Sequence, residues 1–294
     1  MKKNYSDWLI NKYGGNSAKE AITNIVEKLL MESNNNDLPI KLSEIAKLIG
    51  INPIPIYQDQ ISLGQLIEIN SEFRISLKMK SRKPPKVNWS GYPRLRFSYA
   101  HELIHCLHYD FSCSPPRRIA PESVDIEEEN LSNFGASLLI FPKKIVKEFI
   151  ETLDSDDIIH VTNQLSKKNQ TSFHASILYL VNSNFLQNSK NKIFILSSIS
   201  KGYRGRGAEK PRCLVSKQYL NNHEMRHFIP GYKGIDVISE SWSLMNCFKK
   251  SISASEIFVE NEIIDYKGIE YLINGKHKFL DKGYIWSTLD FDLV

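Results

Sequence analysis

The sequence has no apolar run approaching the roughly 18 to 20 residues that a helical bilayer span requires, so a helical membrane protein is excluded. Cysteine is scarce: Cys106, Cys113, Cys213 and Cys247 are the four in 294 residues, and no C-x-x-C pair occurs. That is too sparse for a disulfide framework, and reduced thiols are expected. Charge of one sign is also lacking, because 38 basic side chains face 33 acidic ones and leave a net +5. So small a surplus does not by itself indicate nucleic acid. Met1-Lys2-Lys3 is followed by Asn4, Ser6 and Asp7 where a secretory signal would continue with apolar residues. A cytoplasmic location is therefore expected. Internal repeats and low-complexity tracts are absent. What remains, 41% apolar and 11% aromatic, describes a globular chain long enough for two domains.

Ile22, Ile25, Val26, Leu29 and Leu30 form the stripe of a core-facing helix that ends near Asn34-Asn35-Asn36. A second helix is expected from a Ser43 N-cap to Gly50, which suits the left-handed position after a helix. Leu66 to Asn70 and Phe73 to Leu77 read as a hairpin across Asn70-Ser71. A basic stretch, Lys78 to Lys86, reads as a solvated loop. Helices are expected over Arg94 to His108 and Val124 to Pro142, then at Ile145 to Ile150, Ile158 to Leu165 and Ser172 to Val181. Beyond Asn188 to Asn191 the pattern changes to short alternating runs. Tyr266-Lys267-Gly268, Asn274-Gly275 and Asp281-Lys282-Gly283 read there as the turns of a β-meander. A domain boundary is placed at 189/190.

His101-Glu102-Leu103-Ile104-His105 is an H-E-x-x-H pattern. On a helix, residues four apart lie on one face about 6 Å along the axis, close enough for two imidazoles to share one Zn²⁺. Glu102, rotated by about 100°, can reach the attacking water without ligating the ion, as a general base must. A second copy, His223-Glu224-Met225-Arg226-His227, puts an arginine between its histidines and meets Pro230-Gly231 soon after. A buried cation beside a dication, on a helix with little room to form, argues against that copy. A third ligand is needed. The acidic cluster Asp125, Glu127, Glu128 and Glu129 offers candidates, although carboxylates in a first turn are also favoured by the helix dipole alone.

Arg94 to His108 (RLRFSYAHELIHCLH) and Glu129 to Pro142 (ENLSNFGASLLIFP) together resemble the ImmA/IrrE family of zinc metallopeptidases. That family's pattern is approximately R-x-R-F-x-x-A-H-E-L-G-H-x-x-x-H followed by E-x-x-(A/C)-N-x-F-A-x-x-L-L-x-P. Arg94, Arg96, Phe97, Ala100, His101, Glu102, Leu103 and His105 match the first half, and Glu129, Asn133, Ala136, Leu139 and Pro142 the second. The resemblance implies a zincin-like α+β domain over residues 1–189, including a helical segment at 143–185; the alternating runs beyond it are read, outside the resemblance, as a β-rich domain over 190–294. It implies Zn²⁺ held by His101, His105 and Glu129, with Asn133 as an outer partner and Glu102 as the catalytic base. Glu128 becomes the third ligand if the alignment slips to place Phe134 on the family's Phe. Ile104 stands where the family has glycine, Gly135 where it has phenylalanine, and His108 one residue short of its last histidine.

By the same resemblance the substrate is a cytoplasmic regulatory protein such as a helix-turn-helix repressor. Direct nucleic-acid binding is not expected, because Thr171 to Ser183, the recognition stretch of a helix-turn-helix-like segment, has no Lys or Arg. Lys201 to Arg212 is basic and glycine-rich but lacks the order of a P-loop, and is read as an exposed loop. His108 and Tyr99 are read as packed side chains, with an outer-partner role and an oxyanion-donor role as their alternatives. The β-rich region is expected either to sense a signal or recruit the substrate, or only to cover apolar surface. The competing functional class is a non-catalytic DNA- or protein-binding regulator built on a zincin-like fold.

Overall fold

The computed structural model describes residues 4–70, 72–79, 92–113, 115–121, 125–155, 157–183, 192–200, 212–220, 256–266, 269–280 and 284–293. The second H-E-x-x-H and nearly all of both basic stretches lie outside them. The chain mixes helix and strand, as an α+β protein does, and divides into two compact units, Met1–Ser176 and Ile177–Val294. Among the described residues, no helix is long and apolar enough to cross a membrane.

In the first unit, α1 (Tyr5–Tyr13) leads into α2 (Ala18–Glu32), which buries the stripe Ile22, Ile25, Val26, Leu29 and Leu30. Ser17 caps α2 by accepting from the Glu20 amide at 3.2 Å. The next helix, α3 (Leu42–Ile49), ends on Gly50 at φ 93°, in the left-handed region, as expected. Its start corrects the Ser43 assignment. Lys41 is the cap residue, without a side-chain hydrogen bond, because Leu42 is already helical and buried and Ser43 sits inside the first turn.

Three strands follow: β1 (Asn52–Gln58), β2 (Gly64–Ile69) and β3 (Glu72–Lys78), in the order β1-β3-β2. The β2–β3 hairpin has the expected register, Ile69 opposite Glu72 and Leu66 opposite Ile75. Strand β1 was not anticipated. Pro53 and Pro55 interrupt its alternation, and proline is tolerated because β1 is an edge strand, pairing parallel to β3 with a register shift between Asn52 and Ile56. Four elements then build the site: α4 (Pro93–Cys106), β4 (Tyr109–Asp110), β5 (Arg117–Arg118) and α5 (Asp125–Ile140). Helix α4 packs against α3, α5, β2 and β3, and α5 also packs against α2. Helices α6 (Lys143–Glu151), α7 (Ile158–Lys168) and α8 (Phe173–Asn182) follow, the division between the units falling within the last.

The second unit contains an antiparallel sheet of β6 (Lys192–Ser200), β7 (Arg212–Leu220), β8 (Glu256–Tyr266), β9 (Ile269–Leu280) and β10 (Tyr284–Leu293), in the order β7-β6-β10-β9-β8. Asn274-Gly275 is not a turn. Both residues lie within β9, and the pairing with β8 shifts there, from Val259 opposite Gly275 to Glu262 opposite Ile273. The extra residue of β8 forms a β-bulge, with Asn261 at φ 50° donating its amide to Asn274 Oδ1 at 2.8 Å.

His277 on β9 is 1% exposed, and burial lowers its pKa from 6.5 to about 4. Between those values the unfolded chain binds a proton that the folded one does not, so stability falls as pH drops from about 6.5 towards 4. The loss is on the order of 2 to 3 kcal/mol. Denaturant unfolding of the full chain at pH 7 and pH 4.5 should show it, and His277→Leu should flatten the difference. An equally steep pH dependence in that variant would assign the effect elsewhere.

Candidate metal centre

Pro93 opens α4, where a fixed φ and a missing N–H suit the first turn. Arg96, Ser98, Tyr99, Ala100, Leu103, Ile104 and Cys106 are buried, leaving His101, Glu102 and His105 partly exposed. Two of the buried groups tie the helix to distant backbone. Arg96 donates Nη2 to the Ile40 carbonyl at 2.9 Å, its pKa lowered by burial to about 10, and the Tyr99 hydroxyl donates to the Pro53 carbonyl at 3.0 Å. Tyr99 is thus a packed tyrosine committed to the β1 backbone. Burial raises the Cys106 thiol well above its ordinary range and keeps it protonated; Cys106 and Cys113 are both free.

The histidines face each other, with Nε2 of His101 and Nε2 of His105 3.0 Å apart. Glu129 on α5 reaches both, Oε2 at 3.3 Å from His101 Nε2 and Oε1 at 3.2 Å from His105 Nε2. Tetrahedral ligands with arms of about 2.0 to 2.1 Å lie about 3.3 Å from one another, so these three side chains already stand at the spacing an ion needs. They could hold a metal ion.

The outward-facing nitrogens are engaged as well. His101 Nδ1 lies 3.0 Å from Asn133 Oδ1, and His105 Nδ1 lies 3.2 Å from Glu128 Oε1. Asn133 is one turn beyond Glu129 on α5, as the spacing anticipated. Glu128 Oε1 also lies 3.0 Å from His108 Nδ1, while Oε2 accepts from Arg118 Nη2 at 2.6 Å. His105, His108 and Glu128 form a second group able to hold a metal, but Arg118 and His108 already claim Glu128, and the Tyr5 hydroxyl bonds His108 Nε2 at 2.8 Å. The two carboxylates differ in exposure too, Glu129 being 55% and Glu128 13% exposed.

The electrostatics follow this arrangement. For Glu128, burial opposes ionisation, but the adjoining His105, His108 and Arg118 outweigh it and hold the carboxyl far below its ordinary range. Burial likewise opposes a charged His105, yet Glu128, Glu102 and Glu129 raise its pKa. His101 is lowered, by burial and then by the neighbouring His105. Burial raises Glu102, with Glu129 adding to the effect and His105 opposing it.

Glycines admit two close approaches. A Cβ on Gly64, the first residue of β2, would lie 2.6 Å from Glu102 Cγ and Oε1, so the strand backbone forms one wall of the Glu102 carboxylate. A Cβ on Gly135 would meet Ile104 Cγ1 and Cδ1 at 2.9 Å and Ile22 Cγ2 at 3.1 Å. Here α5 crosses α4 with only the glycine backbone at the contact. The structure therefore brings His101, His105, Glu129, Glu102 and Asn133 together, and places Glu128 behind His105. His108, read as packed, is fully buried and also joins this network. Tyr5, Gly64 and Arg118 were not anticipated, and none stands at a spacing from the H-E-x-x-H that would single it out.

No family model matches this sequence, and no curated protein matches it. A solved structure described as a Mycobacterium tuberculosis transcriptional regulator is similar over 92% of this chain and 76% of its own, at 12% identity and a TM-score of 0.44. So slight a likeness carries no argument about this chain.

The Gly64 contact can be tested by stability alone. Gly64→Ala should destabilise the protein by about 1 to 3 kcal/mol through overpacking, and should be close to neutral in a Glu102→Ala background, where the opposing side chain is gone. Equal effects in the two backgrounds would show that Glu102 does not occupy that space.

Proposed function

We propose that the first unit is a zinc metallopeptidase of the kind the ImmA/IrrE resemblance implies, acting on a specific cytoplasmic regulatory protein such as a helix-turn-helix repressor. One observation carries this reading: His101 Nε2, His105 Nε2 and the Glu129 carboxylate converge at ligand spacing, and Glu102 interacts electrostatically with His105 and Glu129 while staying outside the group. His101, His105 and Glu129 would hold the ion. Two histidines and a carboxylate are the donor set of a catalytic zinc site, which leaves a fourth position for water or substrate. Bound there, Zn²⁺ supplies a Lewis acid that lowers the pKa of water and polarises a peptide carbonyl.

The chain's own residues supply the remainder. Glu102 takes the proton of the attacking water and returns it to the leaving amine. Its burial against Gly64 raises its proton affinity above that of a solvated carboxylate, which suits a group that must both accept and donate. Asn133, at the outer nitrogen of His101, orients that imidazole. Two of the departures from the family pattern, Ile104 and Gly135, are compatible with the reading, because they meet in one contact: the bulk missing at one position is present at the other. The zincin-like character of the fold belongs to the same proposal, as does a sensing or recruiting role for residues 190–294.

Purified protein should carry about one zinc per chain, lost in His101→Ala and in Glu129→Ala, since a catalytic site has three protein ligands. Metal-free protein that binds DNA with a steep salt dependence would support the regulator reading instead. Glu102→Gln should keep the zinc and lower cleavage by about a hundredfold or more. Comparing the proteomes of cells expressing wild type and Glu102→Gln should identify the substrate as a regulator depleted only by the former. A variant that retains most of the activity on that substrate would remove Glu102 as the base.

A further inference from the structure

Glu128 was a candidate ligand on sequence grounds, and its surroundings give it another task. Its Oε1 sits between His105 Nδ1 at 3.2 Å and His108 Nδ1 at 3.0 Å, and its Oε2 is pinned by Arg118 Nη2 at 2.6 Å. Behind it, His108 is fully buried, its Nε2 bonded to the Tyr5 hydroxyl at 2.8 Å. The rings of Tyr5 and Trp8 stand edge-on to the His108 ring, with centroids at 5.4 and 6.0 Å. Ser6, also on α1, donates to Glu127, the residue before Glu128. A continuous row of side chains therefore runs from the amino-terminal helix to the back of His105.

We propose that Glu128 is a positioning residue for His105, and that Tyr5 on α1, acting through His108, is part of the support that holds it. The inference rests on the zinc reading above. An imidazole that ligates through Nε2 must carry its proton on Nδ1, and an ionised carboxylate at Nδ1 selects that tautomer and fixes the rotation of the ring. Arg118 holds Oε2 at 2.6 Å and so prevents the carboxylate from turning inward to become a fourth ligand. His108 and Tyr5 fill the space behind it and limit its rotation. The amino-terminal helix, about a hundred positions away in sequence, thereby contributes to metal affinity while touching neither metal nor substrate.

The test is zinc affinity of the full-length chain, measured by competition with a chromogenic chelator, together with the visible spectrum at saturating Co²⁺. Glu128→Ala should weaken zinc binding by about 10- to 100-fold, as loss of an outer partner does, while leaving the Co²⁺ band positions of the wild type. Glu128→Gln keeps an acceptor oxygen for His105 Nδ1 and should lose distinctly less, an ordering that a purely structural charge would not produce. Tyr5→Phe deletes one hydroxyl, and should fold even where Glu128→Ala does not. It should weaken binding by a few fold, as a partner one step further out. The inference is overturned if Glu128→Ala binds zinc like the wild type, if Glu128→Gln is as weak as Glu128→Ala, or if Glu128→Ala shifts the Co²⁺ bands as loss of a ligand would. Unchanged affinity in Tyr5→Phe overturns the part played by α1. Wild-type protein that takes up no zinc overturns the metallopeptidase reading itself, an outcome visible before any variant is made.

Discussion

Two imidazoles four residues apart on a helix can share an ion only when both rings turn a nitrogen inward, here Nε2 of each, and nothing in the helix backbone fixes that rotation. Much of the first unit is arranged around this constraint. Helix α5 supplies an acceptor at each outer nitrogen, Asn133 for His101 and Glu128 for His105, and a carboxylate, Glu129, between the inner ones. All three lie within one and a half turns, so the register of α5 against α4 sets the whole group at once. That register is held where Gly135 lets the helices approach and Ile104 and Ile22 fill the space. Arg96 and Tyr99, buried and bonded to the backbone of residues 40 and 53, hold α4 from its other side.

The same layout separates the roles of three neighbouring carboxylates by environment. Glu128 is surrounded by Arg118 and two histidines and is held ionised. Glu129 reaches the inner nitrogens from a half-exposed position. Glu102 lies against the backbone of an edge strand, where burial raises its proton affinity. Chemically identical groups thus become an orienting group, a ligand candidate and a base candidate, because each has different neighbours.

The motif helix, the helix carrying Asn133 and Glu129, and the β2–β3 hairpin were legible from spacing because each rests on a local period. What was not legible depends on contacts between segments far apart in sequence. Prolines hid β1, since its edge position is a property of the sheet and not of the strand. Asn274-Gly275 has the composition of a turn, but a bulge uses the same backbone freedom, and only the pairing of β8 with β9 separates the two. Ser43 is a good cap by type, yet burial of Leu42 moved the helix start ahead of it. Glu128 and Glu129 are adjacent in sequence and equivalent in composition. Arg118 and His108 distinguish them, and neither side chain announces its distance from α5 in the sequence.

The Ile104–Gly135 contact restricts how this site can change over time. Replacing Ile104 alone with glycine would leave a cavity between α4 and α5 and weaken the motif helix, at a combined cost of several kcal/mol. Enlarging Gly135 alone would drive a side chain into Ile104 and Ile22. Both single steps pass through a less stable protein, so each of the two positions sets the volume the other can take.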